Sequence, residues 1–190
     1  MKLLTLPVLM LAAAPAFADW SLASGSDVAF ISTKNTDITE VHHFRTLTGS
    51  VTDSGDATVS IQLASVDTGI PIRNERLLNM LFESAKFPVV SISAHVPEPT
   101  MTAVKAGKTT SLTLPVSVDF HGIKRTMDAG VLVMPAADGS VIVSTTEPLL
   151  LKAEDFGVAG GVDALRAVAN LDRISATVPV TFTLVYNLQK

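Results

Sequence analysis

The sequence predicts an all-β fold, in which antiparallel strands form a closed barrel or a sandwich. Residues 174–187 alternate between apolar and predominantly polar side chains, and residues 112–120 repeat this pattern. A period of two over such lengths indicates that one face of each strand is buried and the other faces solvent. Weaker strand patterns follow one another at short spacing between turn residues, which is typical of barrels and sandwiches.

The weaker strands are predicted where apolar residues alternate or cluster between turn signals. They cover residues 28–33, 89–96, 130–134 and 140–145, whereas residues 58–63 alternate clearly and predict a third strand of the stronger kind. Ala137-Asp138-Gly139 is a typical hairpin turn, and Asp53-Ser54-Gly55-Asp56 is a second turn. Pro179 falls on the outward face of the last strand, which indicates an edge or a bulge there.

Two short helices are predicted between the strands. Residues 73–83 contain no Gly or Pro and place three leucines on one face. Residues 162–171 follow Gly160-Gly161 and carry apolar side chains at helical spacing. Helices at two such points would cap an open barrel end better than they would fit a sandwich. A barrel of about eight strands is either filled by side chains or has room for a small ligand, and both outcomes stay open.

The N-terminus has the three parts of a cleaved secretory signal over residues 1–18. Lys2 precedes an apolar run, and Ala16-Phe17-Ala18 matches the pattern that signal peptidase recognises. The apolar run is shorter than the roughly 20 residues that span a bilayer. No cysteine follows it to carry a lipid anchor. We therefore predict an exported mature domain of residues 19–190.

The composition excludes several classes of protein. The chain has a net charge of −4 and no basic run, so it offers no surface for nucleic acid. It contains no cysteine, and hence no disulfide framework. Apolar residues make up 47% of the chain, which indicates either a large core or an apolar cavity.

No catalytic or metal-binding pattern stands out in the sequence. It has no cysteine nucleophile, G-x-S-x-G elbow, phosphate-binding loop or dinucleotide fingerprint. The adjacent His42 and His43 would point to opposite faces of a strand, His95 faces outward, and His121 begins a turn. Since their spacing is not that of metal ligands, we predict structural or surface histidines, no metal site and no cofactor.

One segment, residues 65–94, carries a more specific pattern. It reads S-V-D-T-G, then R-N-x-x-L, then F and an F-P pair. The residues that form it are Ser65, Asp67, Thr68, Gly69, Arg73, Asn74, Leu77, Phe82, Phe87 and Pro88. This pattern resembles the central motif of the YceI-like family, bacterial lipocalin-like lipid-binding proteins. Residues 20–30, 44–49, 120–125 and 154–157 resemble further elements of that family, in the same order along the chain.

The resemblance implies an extended antiparallel, lipocalin-like β-barrel of about eight strands with two short helices near its ends. It also implies an apolar tunnel that holds a polyisoprenoid, a quinone-like lipid or another long-chain lipid. Such a protein would be a carrier, a store or a sequestering protein in the periplasm, and it would need no catalytic residue. Transient membrane contact and a dimer are both compatible with this role.

On this hypothesis, apolar residues of the strands and of the central motif line the tunnel. They are Trp20, Phe30, Phe44, Ile61, Leu63, Phe82, Phe87, Leu114, Val116, Val118, Phe120, Val180, Phe182 and Leu184. Asp67, Arg73 and Arg76 would be the polar residues near a tunnel end.

Two other functions stay open from the sequence. Asp67, Arg73 and Arg76 would be the candidates for an enzyme that acts on a bound lipid, although salt-bridged loop anchors explain these residues more simply. A barrel with a filled interior would instead favour a non-lipid interaction module, such as the partner of a membrane redox protein.

Overall fold

The protein is described by a computed structural model over residues 20–189, and the predicted signal peptide lies outside the described residues. This part of the chain folds into twelve strands and three α-helices. The strands are β1 (Trp20–Leu22), β2 (Asp27–Lys34), β3 (Ile38–Phe44), β4 (Leu47–Val51), β5 (Asp56–Gln62), β6 (Val66–Asp67), β7 (Val89–His95), β8 (Thr110–Phe120), β9 (Ile123–Pro135), β10 (Val141–Thr145), β11 (Leu149–Lys152) and β12 (Thr177–Leu188). The helices are α1 (Pro71–Arg76), α2 (Glu98–Lys105) and α3 (Ala159–Val168).

The strands close into a barrel. A continuous antiparallel ladder runs β1-β4-β5-β7-β8-β9-β10-β12, and β12 pairs back with β1 through Leu188 and Trp20. The other four strands continue strands of this circuit beyond short interruptions: β2 follows β1 along β12, and β11 follows β10 along the same strand. The predicted antiparallel barrel of about eight strands is confirmed, and the chain does not form a sandwich.

The two ends of the barrel are covered differently. At end A, where β1 begins and β12 finishes, α2 connects β7 to β8 and buries Met101. At end B, the β9–β10 ladder stops at the pair Thr145 and Val131, and the β5–β7 ladder stops at Gln62 and Val89. Beyond these points the helical segments of end B, α1 and α3 with the short turns beside them, occupy the space between the strands.

The first predicted helix is shorter than expected and irregular. It begins at Pro71, a residue favoured in the first turn because the missing N–H is not needed there. After Arg76 the chain widens into a π-helical turn, Leu77–Leu81. Such wide turns are often found at functional sites. Here the turn is followed at once by the buried ring of Phe82.

The second predicted helix is shifted toward the N-terminus. It runs over Ala159–Val168, so Gly160 and Gly161 lie inside it rather than before it. A Cβ atom on Gly161 would lie 2.7 Å from the carbonyl oxygen of Met80. Glycine at this position therefore lets α3 pack directly against the π-helical turn. Within residues 20–189, no helix has the length and hydrophobicity needed to cross a membrane.

Candidate functional site

An elongated cavity of about 300 Å³ runs through the barrel. Trp20 and Met101 line it at end A, and Phe156 lines it at end B. On β12 the lining extends from Val178 to Tyr186, which corresponds to roughly 26 Å of strand at about 3.3 Å per residue. The volume lies at the lower end of the range for ligand cavities, roughly 300–1,000 Å³. The interior is therefore not filled by side chains, and its shape suits an extended molecule.

The structure brings nearly all the predicted tunnel residues together around this cavity. Those that line it are Trp20, Phe30, Phe44, Ile61, Leu63, Phe82, Leu114, Val116, Val118, Phe120, Val180, Phe182 and Leu184. Phe87 lies outside the lining, because its ring packs instead against His121, with ring centroids 4.3 Å apart. The contact of these side chains with a ligand stays a prediction.

Several lining residues were missed from the sequence. Met101 and Val104 come from α2, and Leu81 comes from the π-helical turn. Met127, Val131, Val133, Val141 and Val143 come from the β9–β10 hairpin. The alternation of apolar residues along the hairpin was a usable signal for its inward face, whereas α2 was not predicted at all.

The cavity wall is almost entirely aliphatic and aromatic. Lys152 is the only residue of the lining that carries a charge, and Tyr186 is the only phenol. Tyr186 is buried, and burial raises its pKa to about 12, so the phenol is neutral at neutral pH. A wall of this kind binds by excluding water from apolar groups rather than by polar recognition.

Five phenylalanines form an aromatic belt across the cavity at end B. Phe30 lies 5.3 Å from Phe44, which lies 6.0 Å from Phe82. Phe82 in turn lies 5.9 Å from Phe120, which lies 5.6 Å from Phe156, all between ring centroids. These distances fall within the range favoured by aromatic pairs. The belt joins the strand wall to the helical segments, since Phe82 directly follows the π-helical turn and Phe156 ends the short turn before α3.

The predicted polar residues lie at end B, and hydrogen bonds hold Asp67 and Arg73 in place there. Asp67 accepts hydrogen bonds from the Arg45 guanidinium, at 2.9 and 3.1 Å, and from the Gly69 backbone N–H. The Gly69 N–H and, after it, Arg45 lower the pKa of the Asp67 carboxyl. Arg76 lies half-buried at the end of α1. Neither residue lines the cavity.

Arg73 ties α1 to the barrel wall through Glu40. Its guanidinium donates to Glu40 at 2.8 Å and to the backbone oxygen of Thr68 at 2.5 Å. Lys34 also donates to Glu40, at 2.6 Å. These two cations, Lys34 first, lower the pKa of the Glu40 carboxyl from 4.5 to about 2.

The histidines occupy four distinct environments. His42 is 2% exposed and its Nε2 lies 2.8 Å from the Ser32 hydroxyl, and burial lowers the pKa of its imidazole. His43 faces the other side of β3 and pairs with Asp27 at 2.9 Å. His95 is exposed, and His121 occupies a turn with a positive φ of 54°. In the part of the chain that the structure covers, His, Asp and Glu side chains form no group of three that could hold a metal ion.

Fold and cavity together define an eight-stranded antiparallel barrel with an apolar interior large enough for a ligand. The sequence model of the YceI-like domain matches residues 20–186, so the chain belongs to the YceI-like family. No curated protein matches the chain.

Solved structures similar to this barrel include the following three. A polyisoprenoid-binding domain from Saccharophagus degradans, implicated in plant cell wall breakdown, is 33% identical. It superposes with a TM-score of 0.87 over 91% of this chain and 100% of its own. BcnA from Burkholderia cenocepacia is 19% identical with a TM-score of 0.61, covering 84% of this chain and 95% of its own. The YceI protein of Campylobacter jejuni is 15% identical with a TM-score of 0.57, covering 83% and 90%. The last two similarities concern the fold alone.

Proposed function

We propose that the protein is exported to the periplasm and binds a polyisoprenoid or another long-chain lipid inside its barrel. The observation that carries this proposal is the elongated cavity with an almost wholly apolar wall. The relative at 33% identity, which is described as a polyisoprenoid-binding domain, supports the same class of ligand.

The energetics favour a long apolar chain as the occupant. Transfer of one CH₂ group from water to an apolar site contributes about 0.8 kcal/mol, and drug-sized ligands realise about 0.3 kcal/mol per atom. Several five-carbon units together therefore supply enough free energy for tight binding without polar contacts. A chain bound in this way is shielded from water, which is what a carrier, a store or a sequestering protein requires in an aqueous compartment.

The wall of the cavity favours binding over catalysis. A reaction on the lipid would need a nucleophile or a general base close to the bound chain. Apart from Lys152 and the neutral phenol of Tyr186, the side chains that line the cavity are hydrocarbon, thioether, indole or threonine groups. Asp67 and Arg73, the earlier candidates for an enzyme, are held in ion pairs outside the lining.

Trp20 offers a direct test of lipid binding, because it is the only tryptophan of the chain and lines the cavity at end A. Polyisoprenoid alcohols of increasing length would be titrated while the tryptophan emission is recorded. We expect a saturable change, with affinity that rises with chain length until the cavity is full. Emission that stays constant at every length, together with the absence of any bound species by native mass spectrometry, would contradict the proposal.

Export has its own test. The full chain would be expressed in a Gram-negative host, and the intact mass of the periplasmic protein would be measured. Cleavage after Ala18 predicts a mature chain that begins at Asp19. A cytoplasmic protein that retains residues 1–18 would refute the periplasmic location. It would leave the lipid proposal unaffected.

A further inference from the structure

Buried polar atoms without a hydrogen-bond partner are concentrated at end B. Over residues 20–189 these atoms are His42 Nδ1, Arg73 Nε and His121 Nε2. Burial of such groups without a partner is costly, so each one indicates a missing partner. His121 Nε2 still lies 3.5 Å from a carboxylate oxygen of Glu83, which is an ion-pair distance. His42 and Arg73 therefore remain as the two groups whose partner is missing from the described chain.

These two residues belong to one cluster of polar side chains, formed by Ser32, Lys34, Glu40, His42 and Arg73. Glu40 accepts hydrogen bonds from both Lys34 and Arg73. Glu40 and His42 are two residues apart on β3, so they share a face of the strand, and His42 contacts Ser32. Two cations and one carboxylate leave this polar cluster with one net positive charge, since burial keeps the imidazole neutral.

The polar cluster adjoins the aromatic belt of the cavity. The rings of His42 and Phe30 lie 5.1 Å apart, and Phe30 is paired with His42 across β2 and β3. Phe30 also lines the cavity, whereas His42 does not. Phe30 therefore contacts both the apolar cavity and the polar cluster. At end A the nearest cation, Lys105, is already paired with Asp53 and lies over the Trp20 ring.

From this asymmetry we infer that the bound lipid lies with its polar end at end B, where Arg73 Nε and His42 Nδ1 hydrogen-bond a neutral oxygen of its head group. The tail then points toward Trp20 at end A, and the Phe30 ring rotates aside to admit the head. The inference rests on the proposed function, and it adds an orientation and a specificity to it.

The chemistry of the two groups selects a hydroxyl or a carbonyl oxygen. Arg73 Nε–H is a donor in every state, and a neutral His42 donates from Nδ1 when its Nε2 accepts from Ser32. Two donors of this kind suit one acceptor oxygen. A phosphate head would instead bring about −1.5 to −2 charges beside the Glu40 carboxylate. The one net positive charge of the polar cluster is too little to compensate for such an anion. Lys152, the cation of the cavity lining, lies on β11, which pairs with the opposite edge of β12 from β2.

Matched ligands test this specificity. Squalene, a polyisoprenoid hydrocarbon without a head group, a polyprenol of the same carbon count and the corresponding polyprenyl phosphate would be titrated against the protein. We expect the polyprenol to bind about tenfold more tightly than the hydrocarbon, the effect of one or two hydrogen bonds. The His42→Phe variant should lose this preference and still bind squalene. The His43→Phe control, one residue away on the other face of β3, should keep it.

The outcomes separate the inference from the proposed function. Equal affinity of the wild type for polyprenol and squalene, or tighter binding of the phosphate, would overturn the head-group site and leave lipid binding intact. Binding of none of the three would overturn both. Should His42→Phe fail to fold, Arg73→Lys keeps the charge beside Glu40 and lacks the Nε donor, so it should also lose the preference. A preference retained in Arg73→Lys and His42→Phe alike would overturn the assignment.

The orientation has a separate measurement. A polyprenol that carries a photoreactive diazirine next to its hydroxyl would be bound, irradiated and mapped by peptide mass spectrometry. We expect labelled peptides from β2, β3 and α1, which hold the polar cluster. Labels confined to α2 and the first residues of β1 would reverse the orientation and overturn the inference.

Discussion

Narrowing of the cavity near end A should weaken the binding of long lipids selectively. Ala94 lines the cavity, and its strand partners Ala57 and Val116 line it as well. The substitution Ala94→Phe adds a ring that occupies about as much space as one five-carbon isoprenoid unit. Loss of that unit from the cavity costs about 1.5–4 kcal/mol, at 0.3–0.8 kcal/mol per carbon. The affinity for a chain long enough to reach end A should therefore fall about tenfold to about a thousandfold.

The assay is a titration of short and long polyisoprenoid alcohols against the wild type and the variant. With the head group at end B, as inferred above, chains too short to reach Ala94 should bind both proteins equally. The control is Ser93→Phe, which places the same ring on the exposed face of the same strand. Melting of the lipid-free proteins reports any strain from the added ring. Wild-type affinity for the long chain in a variant that melts normally would refute a lipid site in this cavity.

Other predictions concern the stability of the barrel and its polar cluster. Leu63 is 0% exposed, so Leu63→Ala should lower the free energy of unfolding by about 2–5 kcal/mol. The control Leu150→Ala removes a side chain that is 64% exposed and should have little effect. Thermal melting of the two variants distinguishes these outcomes. Because Lys34 and Arg73 hold the pKa of Glu40 at about 2, its ionised form stabilises the fold above pH 4.5, and this contribution is lost as the pH falls toward 2. In urea unfolding, Glu40→Gln should therefore be less stable than the wild type at pH 7. This difference in stability should vanish near pH 2. A difference that stays constant with pH would contradict the ion-pair explanation.

The barrel was predictable because its longest strands are amphipathic. β8 and β12 each bury one face against the cavity, so their alternation survives as a clear pattern in the sequence. The helix α2 was missed because Pro97 and Pro99 stand at its start and its few apolar residues give a weak period. The start of α3 was predicted too late because glycine usually marks a helix boundary. Gly161 instead lies inside α3 and permits close packing against the π-helical turn.

The candidate site was predictable only on its apolar side. The period of a strand tells which residues share the interior, and nearly all the residues chosen in this way line one cavity. The same period put His42 and His43 on opposite faces but could not decide which face is inward. The His42 imidazole is buried beside Arg73 and Glu40 because α1 folds over β3. That contact joins residues far apart in the chain, and no local pattern encodes it.

Lipid occupancy of the freshly purified protein decides whether the barrel holds a lipid. The mature chain would be isolated from the periplasm without detergent and analysed by native mass spectrometry, with solvent extraction of any bound molecule. We predict a mass above that of the polypeptide, an extractable polyisoprenoid or other long-chain lipid, and reloading of the emptied protein with an added isoprenoid. A single polypeptide mass, no extractable lipid and no uptake of added isoprenoid would contradict lipid binding in the barrel.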